Sequence, residues 1–228
     1  MEVPENLTAN LHLLWPAFLI TGLAFLVLTV DFLLPAGRKS SLAAIAAVGL
    51  LAILAFSVLF LGGREDTPLY QGILQVDRYS LFFTVFFLAL GVLIVLASVD
   101  YVKRYLRHPG EYYGIILFSI LGMVLMAASA ELLTAYISLE LLSFSLYILV
   151  SLARDDPKSN EAGVKYILLG AFASALLLYG ISLVYGVLGT TTFAGINEAL
   201  GAEVSARPAA VATATAAMPQ LMRRSEVS

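Results

Sequence analysis

The sequence predicts an all-α membrane protein, a bundle of about six transmembrane helices with its N-terminus outside, and three observations predict it. Apolar residues make up 60% of the 228 and charged residues only 13%, where an ordinary soluble domain carries about 25% charge. Apolar runs recur along the chain, each reaching the about 18 to 25 residues that take a helix across a hydrocarbon core of about 30 Å. Basic residues gather in alternate loops, as they do around membrane spans. Strands crossing a membrane would alternate apolar with polar residues, and these runs are apolar on all sides, so helices are expected.

The first span is expected over residues 13–34. Trp15, the only tryptophan, stands at its start as an interfacial anchor. Glu2 and Glu5 precede it without any Lys or Arg, so the basic region of a cleavable signal peptide is missing and the run reads as a retained span. The second and third spans follow at 43–61 and 81–99. Residues 112–152 then form one apolar stretch of about 60 Å if fully helical, twice the core thickness, which forces a hairpin near Ala128–Glu131 and divides it into spans at 113–130 and 132–152. The sixth is expected over 157–188, with Asp156 as cap and Pro157 as first helical residue.

Loop charge orients the bundle. Arg38, Lys39, Lys103, Arg104, Arg107, Arg154 and Lys158 follow the odd-numbered spans, whereas only Arg64 and Arg78 follow the second. The odd-numbered loops are therefore expected on the cytoplasmic side. A net charge of -3 spread over loops gives no case for a nucleic-acid partner, and the absence of cysteine excludes disulfides and thiolate metal sites.

Ionisable groups at membrane depth carry the functional signal, because charge there is expensive. Glu140 lies near the middle of the fifth span, about 14 Å along the helix from Glu131. Helical spacing places Tyr136, Ser143 and Tyr147 on its face as a partial polar stripe, mixed with Ile137 and Phe144, while Ser138 points to another side. The alternative for Glu140 is a neutral carboxyl that glues helices together. Lys165 sits about two turns into the sixth span, where it either serves a polar path or snorkels to the headgroups. Asp31 and Glu131 fall at span ends, where a carboxylate needs no special role. Gly170 and Ser174 are spaced for close helix packing. His12 and His108 are isolated, and no nucleotide, haem or metal motif is present. Proton relay is the chemistry these residues permit.

The segments "ELLTAYISLELLSFSLYILVSL" from Glu131, "NEAGVKYILLGAFASALLLYGISLVYG" from Asn160 and "GTTTF" from Gly189 resemble the antiporter-like membrane subunits of respiratory complex I, the proton-pumping NADH:quinone oxidoreductase, and most of all their subunit N (subunit 2) branch. The resemblance covers roughly residues 11 to 200. It implies that Glu140 matches the fifth-helix carboxylate used in proton translocation, and that Lys165 matches the lysine of the sixth helix. The "DFLLP" that begins at Asp31 looks like the family's first-helix ending.

The same resemblance implies NADH, flavin, iron–sulfur clusters and quinone in partner subunits, no cofactor in this chain, other membrane subunits of complex I as partners, and an energy-transducing inner (plasma) membrane as location. A related cation/proton antiporter subunit is the alternative, as is a truncated, non-catalytic membrane fragment. From Gly201 the composition turns Ala- and Thr-rich, with Pro208 and Pro219. Residues 201–228 therefore read as an atypical tail, disordered or arising by truncation or frame-shift, after an antiporter-like part at 1–200. The isolated chain is expected to insert into a membrane but not to be catalytic.

Overall fold

A computed structural model of the chain describes residues 11–34, 41–61, 67–69 and 73–202. Residues 203–228, which hold nearly all of the tail singled out above, lie outside them. A 3-10 turn, Leu11–Leu14, leads into α1 (Trp15–Leu33). Then come α2 (Ser41–Leu61), an antiparallel ribbon of β1 (Thr67–Leu69) and β2 (Leu74–Val76), α3 (Arg78–Ala97), the short α4 (Val99–Tyr105), α5 (Pro109–Ala127), α6 (Leu132–Val150) and α7 (Pro157–Leu188). Residues 193–202 are helical as well. Six of these helices are long and apolar enough to cross a membrane. The chain is thus an all-α, multi-pass membrane protein with one small ribbon added.

Local chemistry sets the helix ends. Asp77 caps α3 through a reciprocal pair in which its carboxylate accepts from the Ser80 backbone N–H at 2.7 Å while Ser80 Oγ accepts from the Asp77 N–H at 2.9 Å. That box starts α3 at Arg78, three residues before the expected 81, and puts Arg78 inside the helix. The third span also ends early, because Ser98 turns the chain and separates α4 from α3. Pro109 opens α5 four residues before the expected 113. Asp156 caps α7 by accepting from the Lys158 N–H at 3.0 Å, with Pro157 leading the helix. Gly189 ends it at φ 70°, a left-handed conformation that a side chain would strain.

The core lies among α1, α2, α3 and α5. Ile20, Ala24 and Val27 of α1 meet Ala46 and Leu50 of α2, Leu88 and Val95 of α3, and Leu117 and Ile120 of α5, all nearly inaccessible. Helix α5 is the central post, with buried residues recurring from Gly110 through Val124. It passes α6 so closely at Gly122 that a Cβ there would stand 2.8 Å from the Leu142 backbone N and 2.9 Å from the Ser138 carbonyl oxygen. Helix α7 packs against α6 and leaves most of its length uncovered: Leu168, Leu169, Phe172, Tyr179 and Val187 are all exposed.

The two ends of the bundle differ in chemistry. At the basic end, Arg107 Nε pairs with Asp155 Oδ2 at 2.9 Å and Arg154 Nη2 with Glu111 Oε2 at 3.2 Å, so the link before α5 and the link before α7 are tied together. Asp31, at the end of α1, packs against Gly110 at this same end. The opposite end is made of extended segments. The Gln75 N–H donates to the Ala128 carbonyl, the Ala130 N–H to Ile73, the Leu132 N–H to Thr191 and the Phe193 N–H to Ala130. β2, the α5–α6 turn and the segment after α7 are thereby stitched side by side.

Candidate functional site

The candidate site is built on α6. Four residues, 128–131, make the turn between α5 and α6, where the length of the apolar stretch demanded a hairpin. Glu131 is extended at the α6 N-cap (φ -142°, ψ 144°) and its side chain makes no capping bond. Its carboxylate instead accepts from Thr134 Oγ1 at 3.0 Å and from Thr191 Oγ1. A residue that reads from sequence as a span-end carboxylate is therefore the anchor of the "GTTTF" segment. The pairing bridges 60 residues, and no local spacing rule reaches that far.

Glu140 follows midway along α6. It is half-buried, and its Oε1 is buried without a hydrogen-bond partner among the described residues. Tyr136, one turn earlier, interacts electrostatically with it through the phenol. Ser143 is half-buried on the next turn.

Tyr147 is buried and turned toward α7. Its ring stands edge-on to Tyr166, with centroids 5.0 Å apart and planes at 86°, and its phenol lies over Gly170. The small-residue spacing at Gly170 and Ser174 predicts the close approach of another helix, and α6 packs against α7. What Gly170 admits is the Tyr147 side chain. Ser138 and Ser145 face elsewhere, each buried and donating to a carbonyl one turn back, Thr134 O and Leu141 O respectively, both at 2.8 Å.

Lys165 sits eight residues into α7, next to Tyr166. Its side chain is 70% exposed, and its Nζ pairs with Glu161 Oε1 at 2.5 Å, one turn earlier on the same helix. Among the described residues Lys165 meets Glu161 and not Glu140. The α6–α7 contact brings Tyr147 and Tyr166 together and leaves Lys165 on the outer side of its helix.

The fold is that of a multi-pass helical membrane protein, and an acid held within one span marks its candidate functional site. Comparison with known proteins makes this specific. A family model described as NADH:quinone oxidoreductase/Mrp antiporter, TM matches residues 129–221, which include all of α6 and α7 and run on into the Ala-rich segment. NADH-quinone oxidoreductase subunit N of Desulfitobacterium hafniense is 39% identical over 198 residues, covering 86% of this chain and 40% of the relative. Subunit N of Sphingopyxis alaskensis is 41% identical over 202 residues, again 86% and 40%.

Among solved structures, respiratory complex I from Thermus thermophilus with bound aureothin contains a chain that superposes with a TM-score of 0.62 at 30% identity, over 78% of this chain and 38% of that one. The Mrp complex of a Dietzia species shares the fold, with a TM-score of 0.60 at 21% identity over 79% of this chain and 20% of that one. Over most of its length the chain is thus similar to subunit N of NADH-quinone oxidoreductase, and its residues 129–221 match the antiporter-like family of membrane subunits. It spans about two fifths of the length of the curated relatives it matches.

Proposed function

We propose that this chain supplies part of the proton path in the membrane arm of an NADH:quinone oxidoreductase in an energy-transducing membrane, and that Glu140 is the group that carries the proton. One observation bears the most weight: an acidic side chain halfway along a membrane-spanning helix has a buried carboxyl oxygen that meets no donor among the described residues. In this reading a cation that moves toward Glu140 and away from it drives the release and uptake of its proton. Lys165 is the cation offered by this chain, and leaving its pair with Glu161 is the movement required of it. Tyr136, Ser143 and Tyr147 provide hydroxyls along the same helix. NADH, flavin, iron–sulfur clusters and quinone belong in this reading to partner subunits, and the residues here handle protons alone.

The test is Glu140→Gln in an assembled complex. Assembly should persist while NADH-driven acidification of membrane vesicles falls well below wild type. Wild-type acidification with normal assembly overturns the role of Glu140. Co-purification with flavin and iron–sulfur subunits separates this reading from that of a cation/proton antiporter subunit, which works without them.

A further inference from the structure

We propose that the cavity at the basic end of the bundle binds a phospholipid headgroup bearing both a phosphate and a primary ammonium. This goes beyond the proton path: the cavity lies at the helix ends, whereas Glu140 lies halfway along α6. Its volume is about 430 Å³, and it opens between the end of α4, the start of α5 and the link from α6 to α7. Because membrane-spanning helices α5 and α6 begin and end at its walls, the cavity stands at the height of lipid headgroups. Tyr101 and Tyr105 of α4 form one wall, both exposed, with ring centroids 5.1 Å apart. Exposed tyrosine at the end of a span is an interfacial feature.

The charges select the headgroup. Arg107 and Arg154 line the cavity together with Glu111, Asp155 and Asp156, so these five side chains sum to one negative charge. A purely anionic headgroup meets net repulsion there, and a simple cation meets two guanidiniums. A headgroup with both signs satisfies both sets. Each arginine is engaged by a single carboxylate oxygen, Arg107 by Asp155 at 2.9 Å and Arg154 by Glu111 at 3.2 Å. A guanidinium has five N–H donors, so most remain for phosphate oxygens. The carboxylates likewise keep acceptor sites for an ammonium that can donate, which a trimethylammonium cannot. Leu106 and Leu152 on the lining supply apolar contact for the glycerol end.

The test uses the full chain, purified and delipidated in detergent. It is offered phosphatidylethanolamine, phosphatidylcholine and phosphatidylglycerol in equal amounts, and the lipid retained is read by native mass spectrometry. Phosphatidylethanolamine should be retained over the other two. Asp156→Ser removes one carboxylate while leaving α7 capped, since serine serves as an N-cap, and should lower that retention about threefold, as expected for one partly exposed charge contact. Glu111→Gln keeps the side-chain size and an acceptor for Arg154 and should act in the same direction, so the outcome does not hang on one variant. Equal retention of the three lipids, preference for phosphatidylglycerol or phosphatidylcholine, or unchanged retention in both variants overturns the proposal.

Discussion

The phenol of Tyr147 lies over Gly170, in space that a Cβ at position 170 would enter. Helices α6 and α7 therefore meet through a tyrosine of the candidate polar stripe seated on the bare backbone of its neighbour. Gly170→Ala must push that ring aside, at a cost of about 1 to 3 kcal/mol for overpacking. The cost should be largely relieved by Tyr147→Leu, which takes away the colliding ring. Thermal unfolding of the two single variants and the double variant in detergent, read as a double-mutant cycle, checks the coupling. Additive effects would show that the contact does not hold the helices.

Gly122 presents a stiffer obstacle. A Cβ there meets backbone atoms of Ser138 and Leu142, at 2.9 and 2.8 Å, and backbone cannot escape by changing rotamer. Gly122→Ala should destabilise more than Gly170→Ala, by about 3 kcal/mol or more, since α5 and α6 have to separate. Glu140 stands between the two α6 residues that Gly122 touches, so proton translocation should fall with stability. Comparing unfolding midpoints of the two variants settles the order, and a smaller loss at 122 contradicts it.

The ion pair of Lys165 with Glu161 is exposed on both sides, at 70% and 66%. Pairs of this kind contribute little, so Lys165→Ala should change stability by no more than about 0.5 kcal/mol. Proton translocation in the assembled complex should respond differently. Alanine should lower it more than arginine, which keeps the charge with another geometry. Activity unchanged in both variants would identify Lys165 as a surface lysine with its ammonium at the headgroups.

Thr191 donates to Glu131 beside two backbone hydrogen bonds that join the segment after α7 to the start of α6. Thr191→Val keeps the shape and removes the donor, leaving a carboxylate oxygen with less to accept, at a cost of about 1 kcal/mol. The effect should be local. Hydrogen exchange at the Leu132 and Phe193 amides, which donate to Thr191 and Ala130, should quicken while amides in the middle of α5 stay protected. Quickening across the whole bundle would mean that this clamp governs global stability.

The sequence by itself determined the number and order of the spans, the hairpin between α5 and α6, and the one acid placed deep in a membrane helix. It could do so because a chain in hydrocarbon must satisfy its own backbone polar groups, which makes helix the default and leaves length and hydropathy to count the crossings. Span ends were less legible. The Asp77–Ser80 capping box and the break at Ser98 move α3 by two or three residues, since caps are set by a few local hydrogen bonds and not by the apolar average.

Tertiary structure decided which side of each helix meets which neighbour. The apolar runs are apolar all round, so periodicity does not mark a buried face, and only packing shows that Gly122 admits the α6 backbone or that Gly170 admits a tyrosine ring. It also decided the long-range polar partners. Glu131 with Thr191, Arg107 with Asp155 and Arg154 with Glu111 are brought together by the fold across tens of residues, whereas Lys165 meets Glu161 one turn away on its own helix.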